Sequence, residues 1–258
     1  ARRAAAAGVR VLGYRTSSGP ATDLPVAGEL DAITVDSSGA RARLTLDGRA
    51  HGELHVGTPG EHMALNALAA LLAAREVAGA EKFDLDGFLS GLSGFGGVGR
   101  RFEPKGEVPL EGGSVRVFDD YAHHPTEVTA VLGAAREIVE ADGGRLVAVF
   151  QPHLYSRTRI FAEEFGRALS LADQVIVLEV YGAREQPEPG VDAGLIVRHV
   201  TSPVHRAADL DAALSTLTGV LAPGDVVFTL GAGDITTLGP RIVADPALGS
   251  RSGSGEGS

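Results

Sequence analysis

The densest gathering of chemistry-bearing residues in the sequence is Asp119-Asp120-Tyr121-Ala122-His123-His124-Pro125-Thr126-Glu127. Paired carboxylates at a strand end can hold ribose hydroxyls or a cation, and histidines just before a helix stand beside N–H groups that lack partners. Helix capping accounts for one or two of these residues and leaves the others. A second gathering, Gln151-Pro152-His153-Leu154-Tyr155-Ser156-Arg157-Thr158, supplies an imidazole, a phenol, two hydroxyls and a guanidinium. Set beside the first, it makes a cationic, hydrogen-bonding wall suited to a carboxylate ligand. Adjacent histidines diverge, and the chain has no cysteine and no His-Glu-x-x-His run, so His123 and His124 are not expected to form a zinc site.

Three further signals are weaker. His62 and Asn66, four apart on a predicted helix, share a face near its N-terminus, where anions are favoured; a polar pair on a half-exposed helix is the plainer account. Arg100-Arg101 follows a glycine-rich stretch and reads as a solvated linker, although the planar arginine fork also suits bidentate phosphate recognition. Gly231-Ala232-Gly233-Asp234 lacks the third glycine of a dinucleotide fingerprint and reads as a tight strand-to-helix turn. A Gly-x-x-x-x-Gly-Lys-Ser/Thr phosphate loop occurs nowhere in the chain.

The elements that must position these residues follow from hydrophobic periodicity. Apolar runs and alternation predict strands over Val9–Tyr14, Arg41–Asp47 and Leu54–Val56, then helices over Glu61–Val77 and Asp84–Leu92. Glycines at 91, 94, 96, 97 and 99 mark a domain boundary. Beyond it, predicted strands at Val115–Asp119, Leu146–Phe150, Val175–Leu178 and Val226–Leu230 alternate with helices at Pro125–Glu140, Ser156–Leu171, Asp192–Val200 and Leu210–Leu221. That alternation predicts an α/β domain with a parallel sheet covered on both faces, and in such sheets ligands bind beyond the carboxyl ends of the strands. Both gatherings fall at those ends. From Ala247 onward glycine and serine dominate, which predicts a disordered tail.

Composition narrows the functions available. The 23 Lys+Arg against 33 Asp+Glu give a net charge of −10 without a basic block, which excludes a general nucleic-acid binder. The most apolar stretch, Met63–Ala74, is interrupted by Asn66 and is too short to span a membrane. Two arginines before an alanine run, with no apolar segment after them, do not make a signal peptide. The chain opens on Ala rather than Met, so either a start residue was removed or the sequence is part of a longer one. Absence of cysteine suits a reducing cytoplasm.

Taken in order, Gly-Glu-His-Met-Ala-Leu-Asn at 60–66, Gly-Arg-Arg-Phe-Glu at 99–103, the 119–127 and 151–158 segments and Gly-Ala-Gly-Asp at 231–234 resemble the Mur ligase family. The resemblance implies residues 1–99 as the incomplete end of a central ATPase domain, 100–243 as a C-terminal Rossmann-like domain and 244–258 as a disordered tail. It also implies an activity: ATP-dependent joining of L-alanine to UDP-N-acetylmuramate through an acyl phosphate, in cytoplasmic peptidoglycan precursor synthesis. Its partners are ATP, L-alanine and UDP-N-acetylmuramate, with no nucleic acid and no membrane insertion. Mg2+ is implied as cofactor, its ligands and the phosphate loop expected upstream of Ala1.

By the same resemblance His62, Asn66, Arg101 and Asp120 bind ATP, Arg101 reaching the terminal phosphate and Asp120 the ribose hydroxyls. Tyr121, His123, His124, His153 and Arg157 surround the amino acid, and Arg101 and His124 are the expected catalytic residues. Met63 stands where the family often has Asn, and Leu154 where it can have a basic residue. Lacking a phosphate loop, the chain is expected to be inactive alone. Two other readings compete: a muropeptide-recycling relative that attaches a tripeptide, against which the 151–158 segment argues, and a stand-alone Rossmann-like module binding a nucleotide or an amino acid.

Overall fold

The computed structural model describes residues 2–20, 22–36, 38–95 and 97–249. The chain divides into two compact units, Ala1–Gly96 and Gly97–Ser258.

The first unit opens with α1 (Arg2–Ala6) and then forms a four-stranded sheet of β1 (Gly13–Thr16), β2 (Val26–Asp36), β3 (Gly39–Leu46) and β4 (Arg49–Val56), in that order. β1 lies parallel to β2, and β2, β3 and β4 form an antiparallel meander. Alternation decides the inner face: Ala40, Ala42, Leu44 and Leu46 of β3 are buried while Thr45 between them is half-exposed. Against that face lies α2 (Glu61–Ala78), burying Ala64, Ala67, Leu68, Leu71 and Leu72. Gly28 permits this approach, since a Cβ there would stand 2.8 Å from Leu68 Cδ1. α3 (Leu85–Ser93) follows, capped by the Asp84 carboxylate, which accepts from the Gly87 N–H.

Two expectations need correction here. The strand predicted at Val9–Tyr14 starts only at Gly13, and Val9 is exposed. β2 escaped prediction because a register shift between Asp31 and Thr34, with Ala32 at φ 50°, breaks its alternation.

The second unit is built on a six-stranded sheet. Its strands are β5 (Glu103–Leu110), β6 (Gly113–Asp120), β7 (Leu146–Phe150), β8 (Gln174–Leu178), β9 (Val204–Ala207) and β10 (Val226–Leu230), in the spatial order β5-β6-β10-β7-β8-β9. All pairings are parallel except β5 with β6, so the wholly parallel sheet expected from the sequence carries an antiparallel edge. β5 contains Pro104 and Pro109, which an edge tolerates and which conceal it in sequence. β9 is short and charged, as edges commonly are.

β7 is buried on both faces: Leu146, Ala148 and Phe150 enter one core and Val147 and Val149 the other. The first core is closed by α4 (Pro125–Asp142) and α5 (Tyr155–Leu169), the second by α7 (Leu210–Val220) and α8 (Leu238–Ala244). Each fully buried Phe or Leu side chain contributes roughly 1.5–3 kcal/mol. The helix predicted over Asp192–Val200 shrinks to α6 (Gly194–Val197). A short 3-10 helix, Asp234–Thr237, leads into α8. The expected tail is also corrected, because Pro246–Gly249 forms α9 and Leu248 is buried in the second core. Residues 250–258 lie outside the described residues. None of the described helices is long and apolar enough to cross a membrane.

Candidate functional site

β6, β10, β7 and β8 run in the same direction, so their carboxyl ends lie on one edge of the sheet. That edge collects Asp119 and Asp120 from β6, Gly231 after β10, Gln151 and His153 after β7, and Tyr181 after β8. The strands stop there because the next residues are polar and glycine-rich.

Two carboxylates organise the first part of the site. Asp119 is fully buried and accepts from Thr229 Oγ1 at 2.7 Å, Thr236 Oγ1 at 2.9 Å and Arg100 Nε at 3.1 Å. Asp120, 2% exposed, accepts from the Phe102 N–H through one oxygen and from the Ala122 N–H through the other, both at 2.8 Å. Burial pushes the Asp120 carboxyl up to about 6, although the two N–H groups and Arg101 pull against it. Arg100 and Phe102 both lie in left-handed backbone, at φ 60° and 49°. Such conformations cost about 1–3 kcal/mol each and persist where the surroundings over-determine them. Arg101, between them, is the more exposed arginine, its Nη1 4.0 Å from Asp120 Oδ1 and its guanidinium 5.7 Å from the centre of the Tyr121 ring.

The second part is a fan of imidazoles. His123 Nδ1 lies 2.9 Å from the Tyr121 carbonyl and 3.2 Å from Glu127 Oε2, and its ring meets Tyr121 and His153 edge to face. His124 caps α4, its Nδ1 accepting from the Thr126 N–H while Glu127 accepts from the His123 and His124 N–H groups. Burial raises the Glu127 carboxyl, but those N–H groups and the His123 ring outweigh it and hold it below its usual range.

His153 stacks on Tyr181 at 5.8 Å, and its buried Nδ1 lacks a hydrogen-bond partner. Burial lowers its pKa, and the nearby charges of Arg157 and His123 lower it further. Arg157, on the first turn of α5, donates from Nη1 to the His123 carbonyl at 3.2 Å. Leu154, the residue before α5, sits at φ 71°.

A third part is the turn after β10. Gln151 donates to Asp234 Oδ1 at 2.7 Å and accepts from the Ile235 N–H at 3.2 Å. A Cβ at Gly231 would stand 2.7 Å from the Gln151 carbonyl oxygen, and one at Gly233 would press on the Gln151 amide and stand 2.8 Å from Tyr181 Cγ. Neither glycine forms a nucleotide fingerprint loop; both let the turn close over Gln151.

The structure therefore brings together Arg101, Asp120, Tyr121, His123, His124, His153 and Arg157 within the second unit. His62 and Asn66 belong to the first unit, on the opening turns of α2, with Asn66 exposed and its amide 3.9 Å from Met63 Sδ. Among the described residues no group of three or more His, Asp or Glu side chains could hold a metal ion. The family resemblance gave no individual role to Arg100, Asp119, Gln151, Glu127 or Tyr181. Asp119, Gln151 and Tyr181 were legible as strand-end residues, whereas nothing in the spacing separates Arg100 from Arg101.

The family described as Mur ligase, glutamate ligase domain, matches residues 100–233. The chain belongs to the Mur ligase family. Two curated relatives are the UDP-N-acetylmuramate--L-alanine ligases of Nocardia farcinica, 53% identical over 250 residues, and Rhodococcus opacus, 50% identical over 256. The alignments cover 93% and 92% of this chain but 48% and 49% of those proteins, so the chain spans about half the length of the curated relatives it matches. Among solved Mur ligases, the UDP-N-acetylmuramate-alanine ligase MurC of Thermotoga maritima matches with a TM-score of 0.65 at 29% identity, over 84% of this chain and 45% of that one. The MurF ligase of Thermotoga maritima, solved in complex with ADP, shares the fold at a TM-score of 0.60 and 18% identity, over 88% of this chain and 48% of that one.

Proposed function

We propose that this chain is part of an ATP-dependent ligase that joins L-alanine to UDP-N-acetylmuramate, an early step of cytoplasmic peptidoglycan precursor synthesis. The observation that carries the reading is the 50–53% identity to ligases of that name, extending over more than nine-tenths of the chain. In the reaction a muramoyl carboxylate oxygen attacks the terminal phosphorus of ATP and ADP leaves. The alanine nitrogen then attacks the acyl carbon, and the tetrahedral intermediate expels phosphate while the nitrogen loses its proton.

Within this chain the chemistry is positioning and charge neutralisation. Arg101 is set to meet a terminal phosphate, the more available of the two neighbouring guanidinium groups. Arg157, with the imidazoles of His123 and His153 and the phenol of Tyr121, makes the polar wall that suits an amino-acid carboxylate. His124 holds the start of α4 beside that wall, and His62 and Asn66 are assigned to the nucleotide. Asp120 is assigned to the ribose, but its two oxygens already hold backbone N–H groups, so its first role is to shape the Arg101 turn. Magnesium would neutralise phosphate charge when bound. Among the described residues no group of three or more His, Asp or Glu side chains could hold it.

The test uses the reading frame extended upstream to the full length of the relatives. The extended enzyme should release phosphate and form UDP-N-acetylmuramoyl-L-alanine, detected by mass spectrometry, only when ATP, magnesium, UDP-N-acetylmuramate and L-alanine are all present. Arg157→Met should raise KM for L-alanine about tenfold or more, the loss of one charge-assisted hydrogen bond. The 258-residue chain, without a phosphate loop, should not turn over. Preference for a tripeptide over L-alanine would overturn the substrate assignment.

A further inference from the structure

We infer that Arg100 and Asp119 form a positioning couple that locks the turn carrying Arg101, and that Arg100 is not itself a ligand-binding arginine. The functional weight of the couple rests on the proposed phosphate role of Arg101; the couple itself rests on geometry alone. The Arg100 guanidinium is committed inside the protein. Its Nε donates to Asp119 at 3.1 Å, its Nη2 donates to the Gly231 carbonyl at 2.5 Å, and its Cζ lies over the Tyr121 ring, 4.9 Å from the ring centre. Its side chain is 23% exposed, against 40% for Arg101. Asp119 is in turn held by Thr229 and Thr236, so the couple ties the turn to the ends of β6 and β10 and to the helix entry after β10.

The backbone shows what this tie holds. Arg100 accepts from the Tyr121 N–H at 2.8 Å through its carbonyl, and its own N–H donates to Glu103 Oε2 at 2.6 Å. Phe102 donates its N–H to Asp120, and its ring packs against Phe118 and Phe228 at 5.4 and 4.7 Å. Arg101 thus stands between two left-handed residues, each fastened by one carboxylate of the Asp119-Asp120 pair. A flexible cation aimed by a fixed backbone needs such fasteners, because the left-handed conformation would otherwise relax. The aspartate pair therefore divides its work: Asp119 grips the side chain before Arg101 and Asp120 the amide after it.

Amide hydrogen exchange, resolved by NMR on the 258-residue chain, tests the couple without any activity. Arg100→Gln should speed exchange at Tyr121 and Phe102 about tenfold, the loss expected for hydrogen bonds to a charged group, while Val149 and Val177 in β7 and β8 stay within about twofold. Arg100→Lys, with one nitrogen in place of the guanidinium fork, should fall between and provides the comparison if the glutamine variant does not fold. No change at Tyr121 and Phe102, or equal acceleration at every amide, overturns the couple.

In the full-length enzyme Arg100→Gln should lower kcat about tenfold with KM for L-alanine held within about twofold, and Arg100→Lys should recover part of the loss. A rise in KM for L-alanine with kcat intact overturns the positioning role. Full activity of Arg101→Gln alongside the predicted exchange pattern refutes the phosphate role of Arg101 and leaves the couple standing.

Discussion

Asp120 offers the sharpest test of the site's electrostatics. Its carboxyl is moved from 3.8 to about 6 by burial, against the pull of two N–H groups. Because the native state then holds a proton that the unfolded chain releases, stability from this group is complete below the unfolded value and is lost as pH rises through about 6. The displacement corresponds to roughly 3 kcal/mol, about half of it gone near pH 5. Asp120→Asn removes the titration and supplies the reference. Urea unfolding of both proteins between about pH 3.5 and 7, followed through signals of the second unit, should show wild-type stability falling relative to the variant by that amount. Asp173 and Glu127, whose carboxyls are held low, change stability in the opposite sense in both proteins and cancel in the difference. A carboxyl midpoint below 3.8 by carbon-13 NMR, or a difference that is flat or rises with pH, would show that the two N–H bonds outweigh burial and refute the reasoning.

Two further substitutions probe what holds the second unit together. Arg145→Met takes two hydrogen bonds from the carboxylate of Asp225, 1% exposed, which accepts from Arg145 Nε at 3.0 Å and Nη2 at 2.7 Å and keeps the Ala222 N–H at 2.8 Å; denaturant unfolding should show a loss of about 1.5–3 kcal/mol, and a loss below about 1 kcal/mol would mean the pair is no more than a surface bridge. Gly233→Ala forces a methyl into Gln151 and Tyr181, and should cost about 1–3 kcal/mol and shift the Gln151 side-chain amide resonances; an unchanged melting temperature would show that the turn has slack.

The functional reading was legible because its residues come in contiguous runs. Asp119 to Glu127 and Gln151 to Thr158 each combine residue types that capping alone does not explain, and each lies where an apolar strand stops. Strands such as β7, apolar throughout, and helices such as α4, opened by a proline, announce themselves by local pattern. β2, β5 and β9 did not. A register shift, two prolines and a charged edge each remove the periodicity that local reading depends on. The short α9 was hidden for a related reason, since only the core around Leu248 distinguishes it from the glycine- and serine-rich residues that follow.

By itself the sequence determined the family, the class of the second unit and the roster of polar residues at its strand ends, because residue type, spacing and order along the chain carry that information. Tertiary structure alone decided which residue does which work. Arg100 and Arg101 are identical in type and adjacent in sequence, yet one is spent inside the protein on Asp119 and Gly231 and the other is left to face outward. Asp119 and Asp120 are likewise twins whose partners differ, hydroxyls and a guanidinium for the first and backbone N–H groups for the second. For the aspartates the cause is strand geometry: neighbouring residues of β6 point to opposite faces, so Asp119 meets Thr229 and Thr236, more than a hundred residues away in the chain, while Asp120 meets the Phe102 and Ala122 N–H groups. The arginines lie in the turn before β5, where the left-handed backbone at Arg100 accompanies a side chain turned to Asp119 and to Gly231, 131 residues away.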